Sequence, residues 1–195
     1  MAKKVTRQDI EAWPVVSYQE IRSTLQSGDL FLTSGDVFLS NLIQKFSKSP
    51  WSHSGIVFRL ESLDRMLLLE AVEDGGVRLA PLSKYLSDYE HSQPYPGLCV
   101  LARRKGLSPE QVNSLAKFGL DALTRPYDNA EIARIVGRIA LGEGRHEDDT
   151  AYICSELVQA CYQAAGWPFK EDARGFIAPK DIWNDPAVSL LARIL

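Results

Sequence analysis

The chain has 195 residues, 45% of them hydrophobic and 24% charged, with a net charge of −3. Those values are ordinary for one soluble globular domain with a sizeable core, and the slight acidity argues against a nucleic-acid-binding face. Three cysteines, an odd number without close pairing, suit a reducing compartment rather than a disulfide framework.

In chain order, Met1 to Asp9 carry basic residues with no apolar stretch behind them, so no signal peptide is expected. No segment is long enough to span a bilayer, and the expected location is cytoplasmic. Residues 1–16 read as a loose lead-in ending at Trp13-Pro14. Ser17 and Glu20 form a capping-box pair that opens a helix over 18–26, stopping at Gly28. Residues 29–33 read as a strand. Ser34-Gly35 turns the chain and Asp36 caps a second helix, with Phe38, Leu39, Leu42, Ile43 and Phe46 at helical spacing. Strands are expected at 54–60 and 66–72 around the turn 61–64, then at 77–80 after Gly75-Gly76, and at 98–102. A short helix from Pro81 carries Leu82, Tyr85 and Leu86. A polar, proline-rich loop follows over 88–96.

Ser108-Pro109-Glu110-Gln111 is a helix start with an N-cap, a proline at the first position and glutamine at the third. Its helix is expected to bury Val112, Leu115, Ala116, Leu120 and Leu123 and to stop before Pro126. A further helix is read over 130–141, an acidic loop over 142–150, and a helix over 155–165 ending at Gly166. The tail reads as two short helices, one begun by Pro179 and one over 186–194. Sequential strands joined by short turns pair antiparallel, so the class is α+β rather than alternating βαβ.

The chemistry is concentrated in two stretches. In Tyr152-Ile153-Cys154-Ser155-Glu156-Leu157-Val158, a short extended approach places Cys154 at a helix N-terminus. Unpaired N–H groups and the helix dipole favour a thiolate there, which is the nucleophilic form. In Trp51-Ser52-His53-Ser54-Gly55-Ile56-Val57, a histidine sits where a loop hands over to a strand. If Leu60 pairs with Arg65, Gly55 faces Glu70, and His53 and Glu70 become diagonal neighbours on one sheet face. A slip of one residue would put them on opposite faces. With that register, Glu70 accepts from one imidazole nitrogen and leaves the other free as a base.

These stretches resemble the YiiX-like (YebB-like) cysteine hydrolases, circularly permuted relatives of the NlpC-type peptidases in the papain-like superfamily. The residues that carry the resemblance are Gly28-Asp29-Leu30-Phe31-Leu32, Ser52-His53-Ser54-Gly55-Ile56-Val57, Glu70-Ala71, Gly76-Val77, Pro81-Leu82, Pro126-Tyr127-Asp128, the Cys154 stretch, and Ala178-Pro179-Lys180-Asp181. They span roughly 28–182, with histidine before cysteine, the permuted order. The resemblance implies a circularly permuted papain-like α+β fold, an antiparallel sheet packed against the nucleophile helix. It divides one domain into a lead-in and helix, 1–27, and the hydrolase body, 28–195. It implies Cys154 as nucleophile, His53 as base, Glu70 as orienting acid and a further role for Tyr127 near the nucleophile. Twenty-six residues separate Tyr127 from Cys154, a departure that leaves its role open.

The resulting expectation is a thiol hydrolase that cleaves an amide in a small, possibly cell-wall-derived peptide through an acyl-enzyme. It needs no cofactor or metal and makes no stable membrane insertion. A lipid acyl hydrolase or acyltransferase of the same fold, or a catalytically silent binding module, stands as the alternative. Several residues have plainer readings. Cys99 and Cys161 read as core, His91 and His146 as solvated loop residues, and Trp51 either as cleft lining or as an anchor. Beyond His53, Glu70 has Arg59, Arg65 and Arg78 as alternative partners.

Overall fold

A computed structural model describes residues 5–35, 49–89, 92–128, 152–173 and 175–195. The expected helix after Asp36, the helix over 130–141, the loop over 142–150, His91 and His146 lie outside the described residues.

Six strands form one antiparallel sheet: β1 (Asp29–Gly35), β2 (His53–Leu60), β3 (Arg65–Val72), β4 (Gly76–Pro81), β5 (Gly97–Arg104) and β6 (Val188–Arg193), in the order β4-β3-β2-β1-β5-β6. Leu60 pairs with Arg65, as the short connection requires, and the same register runs on through Ile56 opposite Leu69. Between them Glu61–Leu63 forms a 3-10 turn, closed by Asp64 at φ 50°. Arg22 steadies that tip, its guanidinium lying 2.6 Å from Asp64 Oδ1.

Six helices complete the described fold: α1 (Arg7–Ala12), α2 (Tyr18–Arg22), α3 (Lys84–Ser87), α4 (Pro109–Asp121), α5 (Cys154–Ala164) and α6 (Pro179–Asn184). Alternation along the strands gives the sheet two buried faces. On one, Leu30, Leu32, Ile56, Leu69, Val100 and Ala102 pack with Leu157, Val158, Cys161 and Tyr162 of α5 and Leu115 of α4. On the other, Phe31, Val57, Leu68, Cys99 and Leu101 pack with Leu82, Tyr85, Tyr95 and Ile194. This is the α+β arrangement expected, with the Cys154 helix laid across the sheet.

Four expectations are corrected. The lead-in is not loose: Thr6 and Asp9 make a capping box for α1, and Ile10 is fully buried. Arg193 donates to the Glu11 carbonyl at 2.7 Å, which ties the end of α1 to β6. The tail over 186–194 is the strand β6 rather than a helix. Its apolar run fits either period, and the open edge of β5 decides for pairing, with Leu101 opposite Ala192. In α4, Leu115 and Gly119 are buried while Leu120 is 51% exposed, because the face toward α5 is narrower than the apolar stripe. The helix read over 18–26 is also shorter, ending at Arg22.

Candidate active site

The site grows from the joint between β1 and β2. Ser52 fixes the chain just before His53. Its N–H donates to the Thr33 carbonyl at 2.9 Å and its hydroxyl accepts from Gly35 N–H at 3.1 Å. His53 then opens β2 opposite Thr33. Close approach of β3 depends on Gly55, where a Cβ would lie 2.8 Å from the Leu69 carbonyl oxygen. With the strands this close, His53 Nε2 meets Glu70 Oε2 at 2.8 Å. The diagonal pairing expected from the hairpin register is the one observed.

Glu70 is fully buried. Besides His53 its Oε2 accepts from the Tyr85 hydroxyl at 2.5 Å, and its Oε1 accepts from Arg78 Nε at 3.0 Å and lies 2.9 Å from Arg78 Nη2. Burial alone would raise its carboxyl, but the His53 hydrogen bond and charge, with Arg78 and Tyr85, hold it below the ordinary carboxylate range. Of the arginines considered as alternative partners, Arg78 is one, and it acts together with His53 rather than in its place. Arg59 instead donates to the backbone of 22–25, and Arg65 to Leu63 and Asp64 carbonyls.

Cys154 arrives from the opposite face of the sheet. Ile153 is extended, and its N–H donates to Glu156 Oε2 at 3.0 Å, so the chain turns directly into α5 with Cys154 as its first helical residue. The Cys154 sulfur is buried beside the His53 imidazole, within hydrogen-bonding reach, and the backbone N–H groups of Ser54 and Ser155 also point at it. Nε2 of His53 belongs to Glu70, which leaves Nδ1 for the sulfur. Burial raises the thiol, but the imidazolium and the two backbone donors outweigh it and bring Cys154 below the ordinary thiol range. Burial likewise opposes the imidazolium, yet Cys154 and Glu70 push His53 up to about 10. Both shifts favour a thiolate–imidazolium pair over the neutral pair.

Tyr127 is brought to this pair despite its sequence separation. Asp128 N–H donates to the Tyr152 carbonyl and Tyr152 N–H to the Pro126 carbonyl, each at 3.2 Å, forming a parallel bridge two residues before Cys154. The preceding segment is seated on β4: Val77 N–H donates to the Arg125 carbonyl at 2.9 Å. Gly76, at φ 60°, permits that contact, since a Cβ there would lie 2.2 Å from the Arg125 oxygen. Burial and the nearby Cys154 charge raise the Tyr127 hydroxyl well above its ordinary range, with Glu73, Glu156 and Asp128 adding to the effect. Its hydroxyl therefore stays protonated in the vicinity of Cys154.

The remaining candidates fall into place as core. Trp51 is fully buried against Trp183, ring centroids 5.0 Å apart, so it anchors the strand rather than lining a cleft. Burial pushes the Cys161 thiol up to about 12 and raises Cys99 further. Sequence reasoning gave no role to Tyr85, and it offered Arg78 to Glu70 only as an alternative to His53 rather than alongside it. The β3–β4 register, which sets Glu70 opposite Arg78, was the signal for that pairing. Among the described residues, no three His, Cys, Asp or Glu side chains gather as a metal set, and no described helix is long and apolar enough to cross a membrane.

Comparison with known proteins bears on the family and the fold. Residues 24–188 match the family model of the permuted papain-like amidase enzymes, YaeF/YiiX, C92 family. The crystal structure of the metalloprotein yiiX from Escherichia coli O157:H7 superposes with a TM-score of 0.53 at 24% identity, covering 86% of this chain and 97% of that one. At that identity the likeness bears on the fold. No curated protein matches the sequence.

Proposed function

The chain belongs to the permuted papain-like amidases of the YaeF/YiiX, C92 family, and we propose that it cleaves an amide bond of a small peptide through Cys154, His53, Glu70 and Tyr127. The observation that carries this reading is the His53 imidazole, held by Glu70 at 2.8 Å on one nitrogen and set against the Cys154 sulfur on the other side.

In the resting pair the proton already sits on His53. The Cys154 thiolate attacks the amide carbonyl carbon and forms a C–S bond, and the carbonyl π electrons move onto oxygen. That oxyanion faces the N-terminus of α5, where the Cys154 N–H is available, and the Tyr127 hydroxyl is a second donor. His53 gives its proton to the leaving nitrogen as the C–N bond breaks, leaving a thioester on Cys154. Neutral His53 then takes a proton from water as its oxygen bonds to the thioester carbon; the C–S bond breaks, the carboxylic acid leaves, and the thiolate–imidazolium pair is restored. Glu70 keeps one tautomer and one ring orientation through both steps.

The test is turnover of a panel of short peptide amides, with intact-mass spectrometry to catch acylated protein. The reading predicts hydrolysis of a peptide amide, a thioester adduct mapped to Cys154, and loss of both in Cys154→Ala. An adduct formed only from lipid esters would move the substrate to the acyl-lipid class. Ligand binding that survives Cys154→Ala and His53→Ala, without an adduct from any amide or ester, would mark a binding module.

A further inference from the structure

The reaction takes His53 through a neutral state each time it protonates the leaving group. At that moment Glu70, fully buried, loses the positive charge of its nearest partner. A buried carboxylate without a counter-charge takes up a proton, and a protonated Glu70 no longer supports an imidazolium. We propose that Arg78 is a positioning residue of this site: a permanent cation that keeps Glu70 ionised whichever form His53 is in, and so keeps Cys154 a thiolate. This deepens the Cys154–His53–Glu70 reading and rests on it.

The geometry divides the two carboxylate oxygens between two tasks. Arg78 places Nε at 3.0 Å and Nη2 at 2.9 Å from Oε1, two charged donors on one carboxylate oxygen. Oε2 is left to His53 at 2.8 Å and Tyr85 at 2.5 Å. The pairing of β3 with β4 sets Arg78 directly opposite Glu70, so this contact follows from backbone register. Tyr85 is packed against Phe31, Tyr89 and Tyr95. Burial and the Glu70 charge hold its hydroxyl protonated, so it adds a donor and no charge.

The other groups that act on this network do not replace Arg78. Cys99 on β5 feels the Glu70 charge and stays a neutral thiol. The Tyr89 ring packs against that of Tyr85, centroids 4.9 Å apart. Among the groups acting most strongly on Tyr127, Glu73, Asp128 and Glu156 are acidic. Among the groups that act most strongly on Glu70, Arg78 is the permanent cation.

Removing that charge acts in one direction by either route. If Glu70 stays ionised, the site becomes more negative and the thiolate less favourable. If Glu70 takes up a proton, His53 loses its support and the thiolate loses its imidazolium. Both raise the pH at which Cys154 ionises, by about one unit for a charge at this separation from the pair.

The experiment is the pH dependence of Cys154 alkylation by iodoacetamide in the full chain, for wild type, Arg78→Met, Arg78→Gln and Arg78→Lys, each checked for folding by circular dichroism. Arg78 is partly exposed and both neutral variants keep its stem, so two chances to obtain a folded neutral site exist. The inference expects the alkylation midpoint to rise by about one unit in the neutral variants and to return most of the way in Arg78→Lys. A folded neutral variant with the wild-type midpoint would overturn it, and so would Arg78→Lys displaced as far as Arg78→Met. A wild-type midpoint in the ordinary thiol range would instead refute the Cys154–His53 pair, before the variants are compared.

Discussion

Replacing Glu70 by glutamine keeps the side-chain shape and removes the charge. The carboxylate accepts from His53, Tyr85 and both facing nitrogens of Arg78. The amide oxygen can still accept from Arg78, but an NH2 group then stands where Oε2 accepted from Tyr85 and His53. Two donors would face a third. A hydrogen bond to a charged group contributes about 1.5–3 kcal/mol, and removing one member of a buried ion pair costs about 3–5 kcal/mol. Arg78 is partly exposed and recovers hydration, which puts the expected loss near the lower end, about 3 kcal/mol. The pH dependence has a definite sign. The folded Glu70 carboxyl lies below its unfolded value of 4.5, so its contribution is fully present above that value and is lost as pH falls through the folded one. Urea unfolding of wild type and Glu70→Gln should differ by about 3 kcal/mol at neutral pH, and the gap should narrow below pH 4.5. Turnover should fall by up to about 10⁴-fold, because the imidazolium and its tautomer lose their support. Equal stability at neutral pH, or a gap that stays constant into acid, would refute the reasoning.

Three further outcomes are expected. Iodoacetamide at neutral pH should label Cys154 ahead of Cys99 and Cys161, whose thiols burial raises, the latter to about 12; peptide mapping that finds Cys99 or Cys161 labelled first would contradict the site. Tyr127→Phe should keep the melting temperature and lower kcat by roughly 10²–10³-fold, the loss of one oxyanion donor, and an unchanged kcat would reduce Tyr127 to packing. Gly55→Ala should cost several kcal/mol in urea unfolding, of order 1–3 for overpacking and more if the strands part, since its Cβ would sit 2.8 Å from the Leu69 oxygen; a neutral effect would mean that β2 and β3 have room to spare.

The His53–Glu70 contact was legible in the sequence because a short connection leaves the hairpin few registers. Once Leu60 met Arg65, the diagonal neighbour of His53 followed. The same logic, applied to the Gly75-Gly76 turn, reaches Arg78 opposite Glu70, a step the sequence permitted. Tyr85 was not legible in this way. It comes from a short helix after β4, and its reach to Glu70 depends on packing against Phe31 and Tyr95. Tyr127 was found by resemblance, but its approach to Cys154 depends on the bridge to Tyr152, a contact between distant segments that local pattern does not encode. The tail failed for another reason. Ala187 to Leu195 is apolar at both periods, and only the unpaired edge of β5 selects the strand. Thr6 and Asp9 carried the α1 capping pattern in plain view, outweighed by the polar look of the lead-in.

The central claim is that Cys154 and His53 form a resting thiolate–imidazolium pair. Its most direct test is the ultraviolet absorbance of the thiolate across pH, in wild type and in His53→Ala, with Cys99 and Cys161 both replaced by alanine in each protein. The account predicts a wild-type thiolate already present below neutrality, with the imidazolium retained up to about 10. In His53→Ala, burial is left opposed only by the backbone donors of Ser54 and Ser155, so ionisation should move back at least to the ordinary thiol range of about 8.5. A wild-type thiol that ionises in that ordinary range, with a midpoint unmoved by His53→Ala, would contradict the pair and the reaction built on it.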